Sequence, residues 1–340
     1  MGRHKQGKAM NRIIKPGEPG FYINRGRYVE SEGYTSVGVE GFYVGCAIKP
    51  GFGVVRSFGM PMPVPNLITN IGLDALGSTS PDFFFMHLGT GTTTPAFTDT
   101  ALTTFGVSVT GNTAETYQSN SIASSSPYYV QGIRTWTSSV GGATGTWTEI
   151  GISSTSINGN LRSHALILDG GRSPVAFTVR ADEQFQGSYI WRYYPMLTDD
   201  TRTITMGAAS YGTITRACNV TTLSEFAQLS WWPLINSGPF RKATTDSAGT
   251  AFYTGNIAAI TSAPTGGLSG LVSGGSAAYT NGNHYNDSFY RAGSGSAVGN
   301  IRTFAQRIGA TCWQCQYDPV LPKLTTQEVI HNQRVSWARR

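Results

Sequence analysis

Charge is scarce in this chain: Asp, Glu, Lys and Arg together make up only 13% of its 340 residues. Runs rich in Ala, Glu, Lys and Leu are missing too, which excludes long surface helices. No stretch approaches the ~18 consecutive apolar residues of a membrane-crossing helix, so no membrane span is expected. The opening segment MGRHKQGKAMNRIIKPGEPG has no apolar centre of the kind a secretory signal needs. The product is therefore expected to stay in the compartment where it is made. Cysteine is limited to Cys46, Cys218, Cys312 and Cys315. Cys312-Trp-Gln-Cys315 has redox-like or zinc-like spacing, but a zinc ribbon needs a second such pair. On a strand, positions i and i+3 also point to opposite faces. Free thiols in a reducing compartment are expected, with no metal and no other cofactor.

The marks of catalysis are absent as well. There is no Gly-x-Ser-x-Gly elbow to expose a nucleophile. His4, His87, His164, His284 and His331 are dispersed, without a ligand-like pair. His87 and His164 sit inside apolar strand patterns and read as hydrogen-bonded strand histidines. The acidic pairs Asp182-Glu183 and Asp199-Asp200 are neighbours on turns, so they point apart and cannot straddle a sugar as glycosidase carboxylates must. Gly89-Thr-Gly91 lacks the following helix of a dinucleotide site. An enzyme is not expected.

What the chain has in abundance is glycine, 42 residues of it, with much Ser and Thr and 11% aromatic residues. That mixture suits short strands joined by tight turns. The expected fold is all-β, with two β-sandwich-like domains of jelly-roll or Greek-key type, an extended N-terminal arm and one short helix. Residues 1–64 read as the arm, punctuated by Pro16, Pro19, Pro50, Gly51, Gly53 and the alternate prolines 61, 63 and 65. Within it, Tyr34–Ile48 predicts one or two strands. Residues 65–200 are the first domain. It opens with a helix over 66–77, capped by Asn66 and ended by a left-handed Gly77, with Gly72 as a weak point. Phe83–Leu88 predicts a buried strand. Hairpins are predicted around Ser139–Ala143 and around Asp169–Ser173. Phe185–Tyr194 alternates, with Tyr189, Trp191 and Tyr193 on one face. Residues 201–340 are the second domain, with strand-like segments at 203–215, 226–232, 301–317 and 328–337 and long Gly/Ser-rich loops over 237–300.

The net charge of +6 is uneven. Arg3, Lys5, Lys8, Arg12, Lys15, Arg25 and Arg27 crowd the first 27 residues, which reads either as a solvated tail or as an anchor on an acidic protein surface, and these are the candidate anchoring residues. Nucleic acid is disfavoured as a partner because no nucleic-acid-binding motif accompanies the charge. Tyr279, Tyr285, Phe289 and Tyr290 lie in a Tyr-, Ser- and Gly-rich stretch, the candidate loop for contacts with glycan or protein.

Several segments carry a resemblance as a set. They are Asn66-Leu-Ile-Thr-Asn-Ile-Gly-Leu-Asp-Ala-Leu-Gly77, Leu88-Gly-Thr-Gly-Thr-Thr-Thr-Pro95, Asp99-Thr-Ala-Leu102, Gly145-Thr-Trp-Thr-Glu-Ile-Gly-Ile152, Arg162–Leu168, Ala181-Asp-Glu-Gln184, Tyr193-Tyr-Pro195 and Val335-Ser-Trp-Ala-Arg339. In this order they resemble the virion structural and tail proteins of tailed bacteriophages, over residues 66–200 and the last 40. The resemblance implies a non-catalytic part of the tail, neck or a fibre-like appendage, assembled in the host cytoplasm. Its partners would be copies of itself, as a trimer or higher ring, and neighbouring virion proteins. The alternatives are a receptor- or glycan-binding module that meets a host surface glycan, or a capsid decoration protein.

Overall fold

A computed structural model describes residues 28–78, 83–110, 112–117, 127–206, 209–218, 251–268, 272–276, 279–308 and 311–340. The basic residues Arg3 to Arg27 and the strand expected at 226–232 lie outside them. The described residues are nearly all β, with one short helix, as the composition predicts.

The strand Tyr28–Lys49 organises the molecule. From Gly33 to Gly45 its odd positions are buried and its even positions half-buried, the period-2 pattern of a strand with one face on a core. Its first part pairs parallel with the strand Glu328–Arg339, Tyr28 opposite Glu328 and Val39 opposite Arg339. Its second part pairs antiparallel with Gln184–Pro195, Val37 opposite Pro195 and Ile48 opposite Gln184. These three form the middle of a nine-stranded sheet. Tyr285–Ala292 and Val272–Ser276 extend it on one side, and Val130–Thr137 and Asn112–Tyr117 on the other.

Residues 28–64 therefore do not stand apart as the arm expected from sequence. Pro50, Gly51 and Gly53 mark a hairpin turn instead, closed by the Phe52 amide on the Lys49 carbonyl at 2.9 Å. Beyond it, Gly53–Phe58 and Val64–Pro65 return onto the first strand. The expected boundary at residue 200 also does not separate two sheets, because the nine-stranded sheet takes strands from both sides of it. The physical reason is shared burial. One continuous set of buried side chains runs from Tyr43 and Met86 through Tyr189 to Tyr290, Trp313 and Trp337.

Two smaller sheets pack on the odd-numbered face of the first and last strands. One is five-stranded, in the order Leu67–Ile68, Leu161–Leu166, Glu149–Ser153, Phe85–Gly89, Phe105–Val109. It meets the large sheet where the Tyr43 hydroxyl bonds Ser163 and the Trp136 indole donates to the Phe84 carbonyl at 2.8 Å. The other is six-stranded and includes Asp200–Met206, Ala209–Ala217, Thr311–Lys323 and Gly299–Ile308. It meets the large sheet where the Tyr317 hydroxyl and His331 Nδ1 lie 2.8 Å apart and where Phe304 packs on the His331 ring. Tyr189, Trp191 and Tyr193 share the buried face, as the alternation predicts.

Local punctuation differs from expectation in two places. The helix runs Asn70–Gly77, and Thr69 caps it by accepting the Gly72 amide at 3.0 Å. Asn66 is instead held in a strand-side bond to the Tyr189 hydroxyl. The helix ends through Ser78, whose amide and hydroxyl both reach the Ala75 carbonyl, with no left-handed Gly77. Gly77 is pressed against the rings of Tyr279 and Trp337. The segment Ser139–Ala143 is not a hairpin. It carries the chain from Val130–Thr137 in the large sheet to Gly145–Trp147, which pairs with Phe177–Val179 in a separate two-stranded sheet, before Glu149–Ser153 joins the five-stranded one. At 169–173 the expected hairpin does form as a short antiparallel ladder, Leu168 opposite Pro174 and the Val175 amide on the Ile167 carbonyl at 2.9 Å, with Asp169 accepting the amides of Gly171 and Ser173; the longer strands beyond it join different sheets.

Candidate functional site

The strongest concentration of buried charge sits where the loop 90–104 crosses the five-stranded sheet. Glu149 opens its strand and is fully buried. One carboxylate oxygen accepts the amides of Gly91 at 2.9 Å and Thr104 at 2.8 Å. The other accepts the Thr103 amide at 3.1 Å and faces His164 Nε2 at 2.9 Å. His164 Nδ1 lies 2.7 Å from Asp99, whose carboxylate also accepts the Ala96 amide. A Cβ at Gly89 or Gly91 would overlap the Glu149 carboxylate, so the Gly-Thr-Gly spacing makes room for an acid under the loop.

This geometry fixes protonation. Both ring nitrogens of His164 face carboxylate oxygens, so both must donate, and the ring is an imidazolium. Burial opposes that charge, but the bonds to Glu149 and Asp99 outweigh it and raise the His164 pKa above its usual value. Burial likewise opposes charge on Glu149, yet His164 and three backbone amides hold its carboxyl below the usual range. With both nitrogens donating, His164 has no lone pair for accepting a proton from a substrate. The arrangement ties a loop to a sheet.

A pH dependence follows. His164, with a raised pKa, stabilises the fold fully below its ordinary value of 6.5, and the gain is lost as pH rises through the raised value. Glu149, with a lowered pKa, stabilises above its ordinary value of 4.5, and the gain is lost as pH falls through the lowered value. The stability difference between the natural protein and His164→Gln should be largest at about pH 5–6 and shrink toward high pH. Denaturant unfolding from acid to alkaline pH checks this; a difference flat across pH contradicts it.

Beside this network lies an open groove of about 540 Å³. Phe42, Pro65, Pro95, Phe97 and Leu168 give it apolar walls, and Glu40, His164, Arg339 and Arg340 give it polar ones. The Arg339 guanidinium lies over the half-exposed Phe97 ring at 4.1 Å and is held by the Ile68 carbonyl and Asn70. Arg340 lies over Tyr194, whose hydroxyl donates to Glu40 at 2.6 Å. Such a groove can hold a chain or ring that offers flat apolar surface and hydrogen-bonding groups.

The sequence-derived contact residues do not form one surface. Tyr290 is fully buried against Phe304, so it is a core residue and not part of a contact loop. Tyr279 donates to Asp74 on the helix at 2.6 Å, its ring beside Trp337. Tyr285 and Phe289 do share the outward face of one strand. Tyr285 lies under the Arg334 guanidinium at 4.0 Å, and Phe289 is exposed. The acidic pairs are turn and ion-pair residues: Asp182 meets Lys49, Asp199 meets Arg216, Asp200 meets Arg202, and Glu183 accepts the Arg180 amide and binds Arg56. His87 bonds the Thr155 carbonyl, as a strand histidine would. Among the described residues no group of three or more His, Cys, Asp or Glu could hold a metal ion.

Neither Glu149 nor Asp99 has a site role in the sequence reading, although both lie in segments that carry the resemblance. The available signal was an acid inside the apolar run Trp147-Thr-Glu-Ile150, which cannot be buried unpaired. Comparison of the chain with family models, with curated proteins and with solved structures finds no match in any of the three.

Proposed function

We propose that this protein is a non-enzymatic structural component of a tailed-phage virion, part of the tail, neck or a fibre-like appendage. In this reading it is made in the host cytoplasm, assembles as a symmetric homo-oligomer and docks on neighbouring virion proteins through residues 1–27. The observation that carries the reading is that most of the segments bearing the resemblance bond to one another, the exceptions being 181–184 and 193–195. Glu149 and His164 hold the Gly-Thr-Gly and Asp-Thr-Ala-Leu segments. The helix receives the Trp337 indole on its Leu73 carbonyl at 2.9 Å, and Arg339 binds Ile68 and Asn70. Residues far apart in sequence thus make one bonded block, the arrangement expected if the set is inherited together.

The second reading, a glycan- or receptor-binding module, draws on the Phe97–Arg339 groove, since an exposed ring flanked by an arginine suits a sugar face. A glycan array with the purified protein separates the two. Deleting residues 1–27 tests the anchor. The remainder, which begins at the first strand, should fold with an unchanged Tm and the same oligomeric mass by light scattering, and should no longer enter particles. Incorporation at the normal copy number contradicts docking through this segment.

A further inference from the structure

Cys218 lies one residue beyond the strand Ala209–Ala217, and Cys312 is the second residue of its neighbour Thr311–Lys323. These strands are antiparallel with Ala217 opposite Trp313, and the ladder runs one step further, the Cys218 amide donating to the Cys312 carbonyl at 3.0 Å. Residues directly opposite on paired strands project to the same face. The two Sγ atoms lie 3.3 Å apart, and both side chains are fully buried. Cys315 is turned away on the other face, opposite Thr215. The Cys-x-x-Cys spacing in the sequence therefore does not mark the sulfur pair; the fold makes a different one, from residues 94 positions apart.

A disulfide bond is ~2.05 Å long, so the sulfurs have little over an ångström to travel, within the reach of side-chain torsion. We propose that Cys218 and Cys312 form an intrachain disulfide when the folded protein meets a peroxide. One thiolate attacks a peroxide oxygen and the O–O bond breaks, giving a sulfenic acid and a hydroxide that takes up the first thiol's proton as water. The second sulfur attacks the sulfenic sulfur, the S–S bond forms and the S–O bond breaks, and hydroxide leaves as water with the second proton. In total two thiols lose two electrons and one hydrogen peroxide becomes two waters. Burial pushes the Cys218 thiol well above its usual range, so reaction awaits local opening at the strand end, where a small neutral peroxide enters more readily than a bulky disulfide reagent. The cross-link fixes the edge pairing of the six-stranded sheet and closes a long loop, which restricts the unfolded chain. This inference is independent of the virion reading.

The test uses the full-length folded protein. After treatment with excess hydrogen peroxide, quenching and unfolding, the titratable thiols should fall from four to two. A non-reducing peptide map should show one new species, the Cys218 and Cys312 peptides joined and two hydrogens lighter. The apparent Tm should rise by roughly 5 °C and return on reduction. Cys315→Ser should leave the cross-link intact, and Cys312→Ser should abolish it. Four thiols remaining, sulfinic acids in place of a cross-link, or a bridge through Cys46 or Cys315 would each overturn the proposal. The map of the natural protein decides the matter even where a serine variant folds poorly.

Discussion

Replacing Glu149 with alanine should destabilise the protein by about 3–5 kcal/mol, the cost of leaving a buried charge without its partner. The change strips His164 of one carboxylate and leaves the amides of Gly91, Thr103 and Thr104 without an acceptor inside the protein. Each stranded buried donor costs about 1–3 kcal/mol by itself, though the costs overlap within one network. The loop 90–104 should also become the first site cut by protease, because its amides are what Glu149 holds. Glu149→Gln keeps the shape but loses the charge that opposes the imidazolium, so it should fall between the two. Pairing each variant with His164→Gln in a double-mutant cycle should give a coupling of at least ~1 kcal/mol. Denaturant unfolding measures all of these. A loss under about 1 kcal/mol for Glu149→Ala would mean that the loop holds itself in place.

Gly72→Ala should also be strongly destabilising, against the usual rule for helices. Alanine normally gains up to about 1 kcal/mol over glycine in a helix interior. Here a Cβ would overlap the carbonyl oxygen of Arg162 in the adjoining strand, and that same oxygen accepts the Thr69 amide at the helix cap. Backbone cannot retreat as a flexible side chain can, so the helix must lift from the strand. The expected loss is about 1–3 kcal/mol or more in place of a gain. Gly170→Ala is the control, since nothing lies within 4 Å of its added carbon and the change should be near neutral. Equal stabilities for the two variants would show that the helix does not need this close approach.

These sites show how far the sequence could be read. Alternation predicted which face of a strand is buried, and Tyr189, Trp191 and Tyr193 lie as it says. Alternation carries no information about which strand comes alongside. The first strand pairs with the last, 300 residues away, and no local signal announces that. The same limit explains Ser139–Ala143: its glycines promised a reversal, but the two flanking strands found better burial in different sheets. Gly72 looked like a weakness of the helix because propensity takes no account of a neighbouring backbone. Asn66 looked like the cap because Asn and Thr both serve, and the choice of Thr69 rests on a long-range bond that occupies Asn66. The acid–histidine–acid network was partly legible, since Asp99 and the Gly-Thr-Gly segment stood out as motifs. Glu149, which binds the loop amides directly and Asp99 only through His164, was hidden because a buried carboxylate in an apolar strand makes sense only once the loop above it is in place.

We propose that this chain is built into a virus particle and works there by burying surface against copies and neighbours. The most direct measurement is to tag the subunit, purify intact particles from a lysed host culture, and quantify it by peptide mass spectrometry with electron microscopy of the labelled particles. The expected result is a fixed, multi-copy stoichiometry and label at one repeated position on the tail, neck or appendage. A subunit that stays wholly in the soluble lysate as a monomer, with none in washed particles, contradicts it.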